Sequence, residues 1–148
     1  MKTVLAFGCF DILHYGHLQF LSKAKGLGDR LVVVVARDAT VRKFKGREPI
    51  FDENARLTMI SALKIVDEAR LGSKDGADRK YDIILEVNPQ VIALGYDQEE
   101  SEGRLGKWLE GKGLGNTRIV RIKHVEDDEV FKSSKAIDRI RCSILKEV

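Results

Sequence analysis

Gly8-Cys9-Phe10-Asp11-Ile12-Leu13-His14-Tyr15-Gly16-His17 is the stretch whose reading decides the fold and the chemistry of this chain. It follows Thr3–Phe7, an apolar run of strand length. The chain therefore leaves a strand through a glycine turn and opens a helix that carries two histidines, with one glycine between them. A helix N-terminus presents backbone N–H groups and the positive end of the helix dipole to an anion. Positions 14 and 17 are spaced i,i+3, so both imidazoles project from one side of the first turn. Gly16 removes a side chain between them and lets a ligand approach the backbone. These features together read as a phosphate site, with His14, His17 and the main-chain N–H groups of Cys9 and Phe10 as donors. A metal centre is not expected, because no nearby Cys, His or carboxylate cluster completes a tetrahedral set.

Outward from that stretch, apolar runs of strand length alternate with helical patterns. Leu31–Ala36 is apolar on both faces, as parallel strands covered by helices are. Val91–Leu94 and Ile119–Ile122 read as two further strands and Val66–Leu71 as a fifth. Helices are predicted over Tyr15–Lys25, from an Asp52 N-cap through Lys64, and over Arg79–Val87, Glu100–Lys112 and Ser134–Lys146. The stretch Arg37–Arg47 reads as a basic loop. This alternation predicts an α/β doubly wound parallel sheet, Rossmann-like, with helices on both faces in a three-layer sandwich. Ligands of such sheets bind beyond the strand carboxyl ends, near the switch in strand order. The Gly8 turn and Gly95 both lie at such ends and are expected to face one crevice.

Composition narrows the partners. The chain has 148 residues, 43% apolar and 33% charged, which predicts one globular domain spanning residues 1–148. A net charge of +3 is too small to argue for nucleic acid. The charge is uneven, however: Arg37, Arg42, Lys43, Lys45 and Arg47 cluster against the single acid Asp38. A local basic cluster suits an anionic small molecule better than a duplex, which needs a broad basic face. No apolar stretch approaches the roughly 20 residues that span a bilayer. The N-terminus lacks the longer apolar core of a signal peptide, and nothing suggests that Cys9 and Cys142 pair. A reduced, cytoplasmic setting is the default expectation.

The first motif resembles the His-x-Gly-His signature of the cytidylyltransferase-like nucleotidyltransferases, here His14-Tyr15-Gly16-His17 after Gly8-Cys9-Phe10-Asp11. A second motif of that family, a short Ser/Thr run opening the last helix, is matched by Lys132-Ser133-Ser134-Lys135-Ala136-Ile137. The resemblance runs from Val4 to Ile137. It implies transfer of a nucleoside monophosphate from a nucleoside triphosphate to a phosphate-bearing acceptor, with release of pyrophosphate. A phosphate oxygen of the acceptor attacks the α-phosphorus in line, so catalysis is positioning and charge stabilisation. On this reading His14 and His17 donate to the triphosphate, and Ser133 and Ser134 hold the leaving β- and γ-phosphates. Lys43 bridges triphosphate and acceptor, with Arg42, Lys45 and Arg47 as substitutes. Arg56 matches a family arginine that reaches phosphate. Asp11 is expected to fix the Gly8 turn. Mg²⁺ is expected as companion of the triphosphate, without a cage of protein ligands. The resemblance also implies a homodimer.

Within the family, two segments look closest to the archaeal-type FAD synthetases. They are Val35-Ala36-Arg37-Asp38 running through Val41-Arg42-Lys43 to Gly46-Arg47-Glu48-Pro49-Ile50, and Ala93-Leu94-Gly95-Tyr96-Asp97-Gln98. The resemblance then implies ATP as donor and FMN as acceptor. Asp97 is placed to accept from the ribose or base, and Tyr96 to offer a flat face to the nucleotide or flavin. Adenylyl transfer to a sugar phosphate such as heptose 1-phosphate, and cytidylyl transfer to glycerol 3-phosphate, fit the core motif too. A non-catalytic nucleotide-binding module is the alternative of another class.

Overall fold

A computed structural model describes residues 1–74, 79, 81–123 and 133–146, the last of these without the Ser133 side chain. The acidic run Glu126–Glu129 and Lys132 lie outside the described residues. In chain order the elements are β1 (Thr3–Gly8), α1 (Tyr15–Lys25), β2 (Arg30–Val35), α2 (Asp38–Lys45), α3 (Glu53–Ser61) and β3 (Glu68–Leu71). There follow α4 (Asp82–Val87), β4 (Val91–Gly95), α5 (Glu102–Gly111), β5 (Arg118–Ile122) and α6 (Ser133–Lys146). The strands form one parallel sheet in the order β3-β2-β1-β4-β5. The chain winds outward from β1 to β3, then crosses back to start again at β4. The switch in strand order thus falls between β1 and β4, beside the Gly8 turn.

Alternation along each strand sorts the core into two clusters. Val4 and Ala6 of β1 face the same side as Leu31, Val33 and Val35 of β2, and there Leu21 and Ala24 of α1 and Ile60 of α3 cover them. Leu5, Val32, Val34, Ile92 and Leu94 face the other side, under Ile83 and Ile84 of α4 and Leu105 and Leu109 of α5. Burial on both faces is why these strands read as unbroken apolar runs. It yields the three-layer α/β sandwich that the alternation predicts.

Two features depart from the sequence reading. The stretch after β2 is not a loop: α2 occupies Asp38–Lys45, with Val41 buried and Gly46 closing the helix at φ +63°. Val41 and Phe44 stand one turn apart on this helix, but five basic residues between Arg37 and Arg47 crowd the stretch and made it read as a loop. The second departure is Arg56. It heads the inner face of α3 with Ile60 one turn later, and it is fully buried. Asp52 caps α3 as expected, accepting from the Ala55 N–H at 2.8 Å.

The Arg56 guanidinium is enclosed and turned to protein oxygens, not to the crevice surface. It donates to the Phe51 carbonyl at 2.9 Å, the Cys9 carbonyl at 2.8 Å and Asp38 Oδ1 at 2.7 Å. Three segments are tied to one cation: the glycine turn, the approach to α3 and the first residue of α2. Replacing Arg56 by Met is expected to destabilise the fold by about 3 kcal/mol, since two carbonyls and a carboxylate lose a buried partner. Chemical denaturation measures it, and a loss below about 1 kcal/mol would show that the buried cation is dispensable.

Candidate active site

A crevice of about 620 Å³ opens at the carboxyl ends of β1 and β4. It gathers residues from both ends of the sequence: Cys9, Phe10, His14, Gly16 and His17 from the first motif, Gly95, Tyr96 and Asp97 after β4, and Ser134 from α6. Ser133 is the first residue of α6, and its side chain is outside the described residues. Lys43 is not in the lining. It is exposed and packs over the Phe44 ring at 5.8 Å, while Lys45 and Arg47 line the crevice instead. Helical phase is the reason. Lys45 lies one turn after the buried Val41 and shares its inward face, whereas Lys43 points elsewhere.

The turn itself is built around Phe10. Its backbone sits in the left-handed region at φ +52°, and its ring is buried. A Cβ on Gly8 would come within 2.4 Å of that ring, so only glycine fits above it. Arg56 takes the Cys9 carbonyl from beneath. In a trans peptide the N–H of the next residue points the opposite way, so the Phe10 N–H is directed away from Arg56, toward the crevice side. The strained conformation thereby orients a donor.

Asp11 does a different job from the one expected. Its carboxylate accepts from the Ile50 N–H at 2.9 Å, the Phe51 N–H at 2.9 Å and the Arg47 guanidinium at 2.7 Å. It anchors the segment after α2 to the first motif and leaves Arg47 at the crevice wall. Burial alone would raise its pKa. The two N–H groups and the guanidinium outweigh burial and hold the carboxyl below its ordinary value of 3.8. No group of three or more His, Cys, Asp or Glu side chains able to hold a metal occurs among the described residues. With Asp11 committed to three donors, the described residues do not fit a protein-built Mg²⁺ site.

His17 is fixed from two sides. Its Nδ1 accepts from the His14 backbone N–H at 3.3 Å. Its ring stacks on His14 at 3.7 Å between centroids and meets the Phe10 ring edge-on at 5.2 Å. Burial, followed by the nearby charges of His14 and Lys45, lowers its pKa from 6.5 to about 3. A neutral imidazole whose Nδ1 accepts must carry its proton on Nε2. His17 is thus a preset hydrogen-bond donor. The Cys9 thiol is pushed up chiefly by burial, which keeps it protonated and unfit as a nucleophile.

The β4 end is held rigidly, and sequence reasoning passed over how. Gln98 accepts from the Gly95 N–H at 3.0 Å and donates to the Phe7 carbonyl at 2.7 Å, so it joins the ends of β1 and β4. Arg121 of β5 donates to the carbonyls of Gly95, Gln98 and Glu100 at 2.8, 3.0 and 2.6 Å. One guanidinium therefore shapes the loop that carries Tyr96 and Asp97. An arginine among the three apolar residues Ile119, Val120 and Ile122 of β5 was the available signal.

A profile of the Cytidylyltransferase-like family matches residues 5–141. The FAD synthase of Thermococcus onnurineus is 45% identical over 137 residues, covering 93% of this chain and 89% of that protein. The FAD synthase of Thermoplasma acidophilum is 52% identical over 122 residues, covering 82% of each. Among solved structures, a protein described as the lipopolysaccharide core biosynthesis protein from Thermoplasma volcanium superposes with a TM-score of 0.78 at 48% identity, covering 85% of this chain and 99% of that one. Thermotoga maritima TmcAL bound with alpha-thio ATP, 19% identical with a TM-score of 0.62, covers 100% of this chain and 52% of that one and shares the fold.

Two outcomes test the geometry. Substituting His17 by Ala is expected to lower kcat by about 10²-fold or more, the usual loss for one transition-state donor. Because His17 stays neutral down to about pH 3, it contributes no inflexion near pH 6.5 to kcat/KM; one that vanished in His17→Asn would contradict this assignment. Lys45→Ala is expected to lower kcat/KM at least about tenfold and Lys43→Ala to leave it within about twofold, the reverse order placing the bridging cation at Lys43. With the strand order, the histidine pair and the profile in agreement, the chain belongs to the Cytidylyltransferase-like family.

Proposed function

We propose that residues 1–148 act as one nucleotidyltransferase domain that joins the AMP moiety of ATP to FMN, giving FAD and pyrophosphate. Identity of 42–52% to archaeal FAD synthases over most of the chain carries this reading. The crevice supplies the chemistry. A phosphate oxygen of FMN attacks the α-phosphorus of ATP, the bond to the oxygen bridging the α- and β-phosphorus breaks, and pyrophosphate leaves with that electron pair. No protein nucleophile takes part, in keeping with a protonated Cys9 thiol.

In this reading His17 Nε2–H and His14 donate to the triphosphate, together with the Cys9 and Phe10 N–H groups at the N-terminus of α1. Negative charge grows on the α-phosphoryl oxygens and the departing pyrophosphate, and donors already in place need no reorganisation. Ser133 and Ser134 at the start of α6 receive the leaving phosphates. Lys45 and Arg47 bring positive charge between the two substrates, the task the sequence had suggested for Lys43. Gly95, Tyr96 and Asp97 receive the nucleoside. Mg²⁺ travels with ATP on its phosphate oxygens.

No helix among the described residues is long and apolar enough to cross a membrane. We place the enzyme in the cytoplasm, with no nucleic-acid partner. A homodimer is supported by α6, which exposes Ile140, Ile144 and Leu145 along one face. Adenylyl transfer to a sugar phosphate is the second reading; the Thermoplasma volcanium structure is described only as a lipopolysaccharide core biosynthesis protein, and a relative from that species at 46% identity is an FAD synthase. Pyrophosphate release from ATP or CTP, each paired with FMN, heptose 1-phosphate and glycerol 3-phosphate, decides between them. Rapid FAD formation with ATP alone is expected. Turnover of a sugar phosphate without FMN would reverse the order.

A further inference from the structure

The two central strands separate before they end. β1 stays paired with β2 as far as Gly8↔Val35, and β4 with β5 as far as Gly95↔Ile122. Between β1 and β4, however, pairing runs only from Val4↔Val91 to Ala6↔Ala93. Backbone direction fixes the rung that would come next. The Lys2 and Gly8 carbonyls point toward β2, where the Arg30 and Ala36 N–H groups donate to them, whereas the Thr3 carbonyl points toward β4 and accepts from the Gln90 N–H. Carbonyls alternate along a strand, so Phe7 shares the direction of Thr3 and faces β4. Continued in register, the ladder would join the Gly95 N–H to the Phe7 carbonyl.

The Gln98 carboxamide occupies that rung. Its Oε1 accepts from the Gly95 N–H at 3.0 Å and its Nε2 donates to the Phe7 carbonyl at 2.7 Å. Two backbone groups that would bond each other are thus held one amide group apart, at the switch in strand order where ligands of such sheets bind. In a closed ladder the strands would lie about 4.8 Å apart, which leaves no room for a phosphate between them. The Gln98 N–H also donates to the Gly95 carbonyl at 3.2 Å, closing a turn with Tyr96 and Asp97 at its tip. Arg121 grips the carbonyls at both ends of that turn, at 2.8 and 3.0 Å, and so keeps the amide in the gap. We infer that Gln98 is a wedge, a positioning residue that sets the distance between the phosphate donors of the glycine turn and the Gly95–Asp97 loop. The inference rests on reading the crevice as a nucleotidyl-transfer site and adds what holds it open. Through that spacing Gln98 registers the nucleoside against its triphosphate.

Gln98→Ala removes the wedge and lets the Gly95 N–H close on the Phe7 carbonyl. The kcat/KM for pyrophosphate release should fall at least about tenfold, because small displacements of reacting groups are costly, while the thermal midpoint falls by no more than about 3 °C. Gln98→Glu gives a reading that a purely structural role would not move. Ionised, the carboxylate accepts from Gly95 and repels the Phe7 carbonyl; protonated, it donates to that carbonyl and restores both bonds. Its kcat/KM relative to the unaltered protein should rise at least about fivefold as pH falls from about 8 to about 5.5. Asp97, Glu99 and Glu100 of the same loop, Arg121 of β5, Cys9 of the turn and Arg37 before α2 surround position 98 in both proteins and cancel in the ratio. A kcat/KM within about twofold of the unaltered protein in Gln98→Ala would overturn the wedge. A larger fall in midpoint, failure to fold included, would make Gln98 a strut and overturn it too. So would a Gln98→Glu ratio that stays flat with pH, and Gln98→Ala decides alone should the Glu variant not fold. The series uses whichever nucleotide and acceptor pair the unaltered protein turns over. A pair other than ATP and FMN would remove the FAD-forming reading and leave the wedge to be judged, whereas no turnover with any pair would remove both.

Discussion

One buried cation holds the catalytic end of this sheet in shape. Arg56 is fully enclosed, yet every partner it has belongs to a segment that must be placed accurately: the Cys9 carbonyl, the Phe51 carbonyl and Asp38. Enclosing a guanidinium is costly unless its donors are satisfied. Here they are satisfied by backbone at the glycine turn and by the first residue of α2. The turn, the basic helix and the start of α3 are therefore tied together. Asp11 repeats the arrangement with opposite sign, gathering two N–H groups and Arg47 around a buried carboxylate. The two charges cross-link the same segments from opposite sides.

This scaffold explains how the crevice can favour phosphoryl-group chemistry through the donors it positions. Its means is placement. His17 is locked as a neutral Nε2–H donor by one backbone hydrogen bond, a stacked partner and burial. Phe10 is held in a backbone conformation that a free chain avoids. Gln98 and Arg121 fix the facing loop through carbonyls and one N–H. Each device lowers the disorder that a triphosphate would otherwise have to remove on binding.

Most of the architecture is legible because β1, β2 and β4, parallel strands buried on both faces, leave unbroken apolar runs, whereas the edge strands β3 and β5 are more polar and stand out less. Helix α1 was read to its last residue, since a motif fixed its start and Gly26 its end. Helix α2 reads as a loop because charged residues crowd it and Val41 is its one buried residue. That helix turns Lys45, rather than Lys43, toward the crevice. Arg56 was misplaced for a related reason: arginine at a helix start reads as a surface or phosphate group, and only the fold reveals three oxygens beneath it. Asp97, Tyr96, Ser134 and the histidines stood where the strand ends and helix starts required. Gln98 and Arg121 act through tertiary contacts, for which local sequence holds no periodic trace.

The left-handed Phe10 couples two properties that are usually discussed apart. Its conformation costs on the order of 1–3 kcal/mol, and the packing of its ring against Gly8 and His17 repays that cost within the folded core. The same ring geometry aims a main-chain donor and steadies an imidazole. Ligand affinity and conformational stability are thus drawn from one reservoir at this residue. A substitution that relaxed the turn would recover the backbone cost but give up the ring packing that offsets it, so at this residue anion binding and stability are lost together.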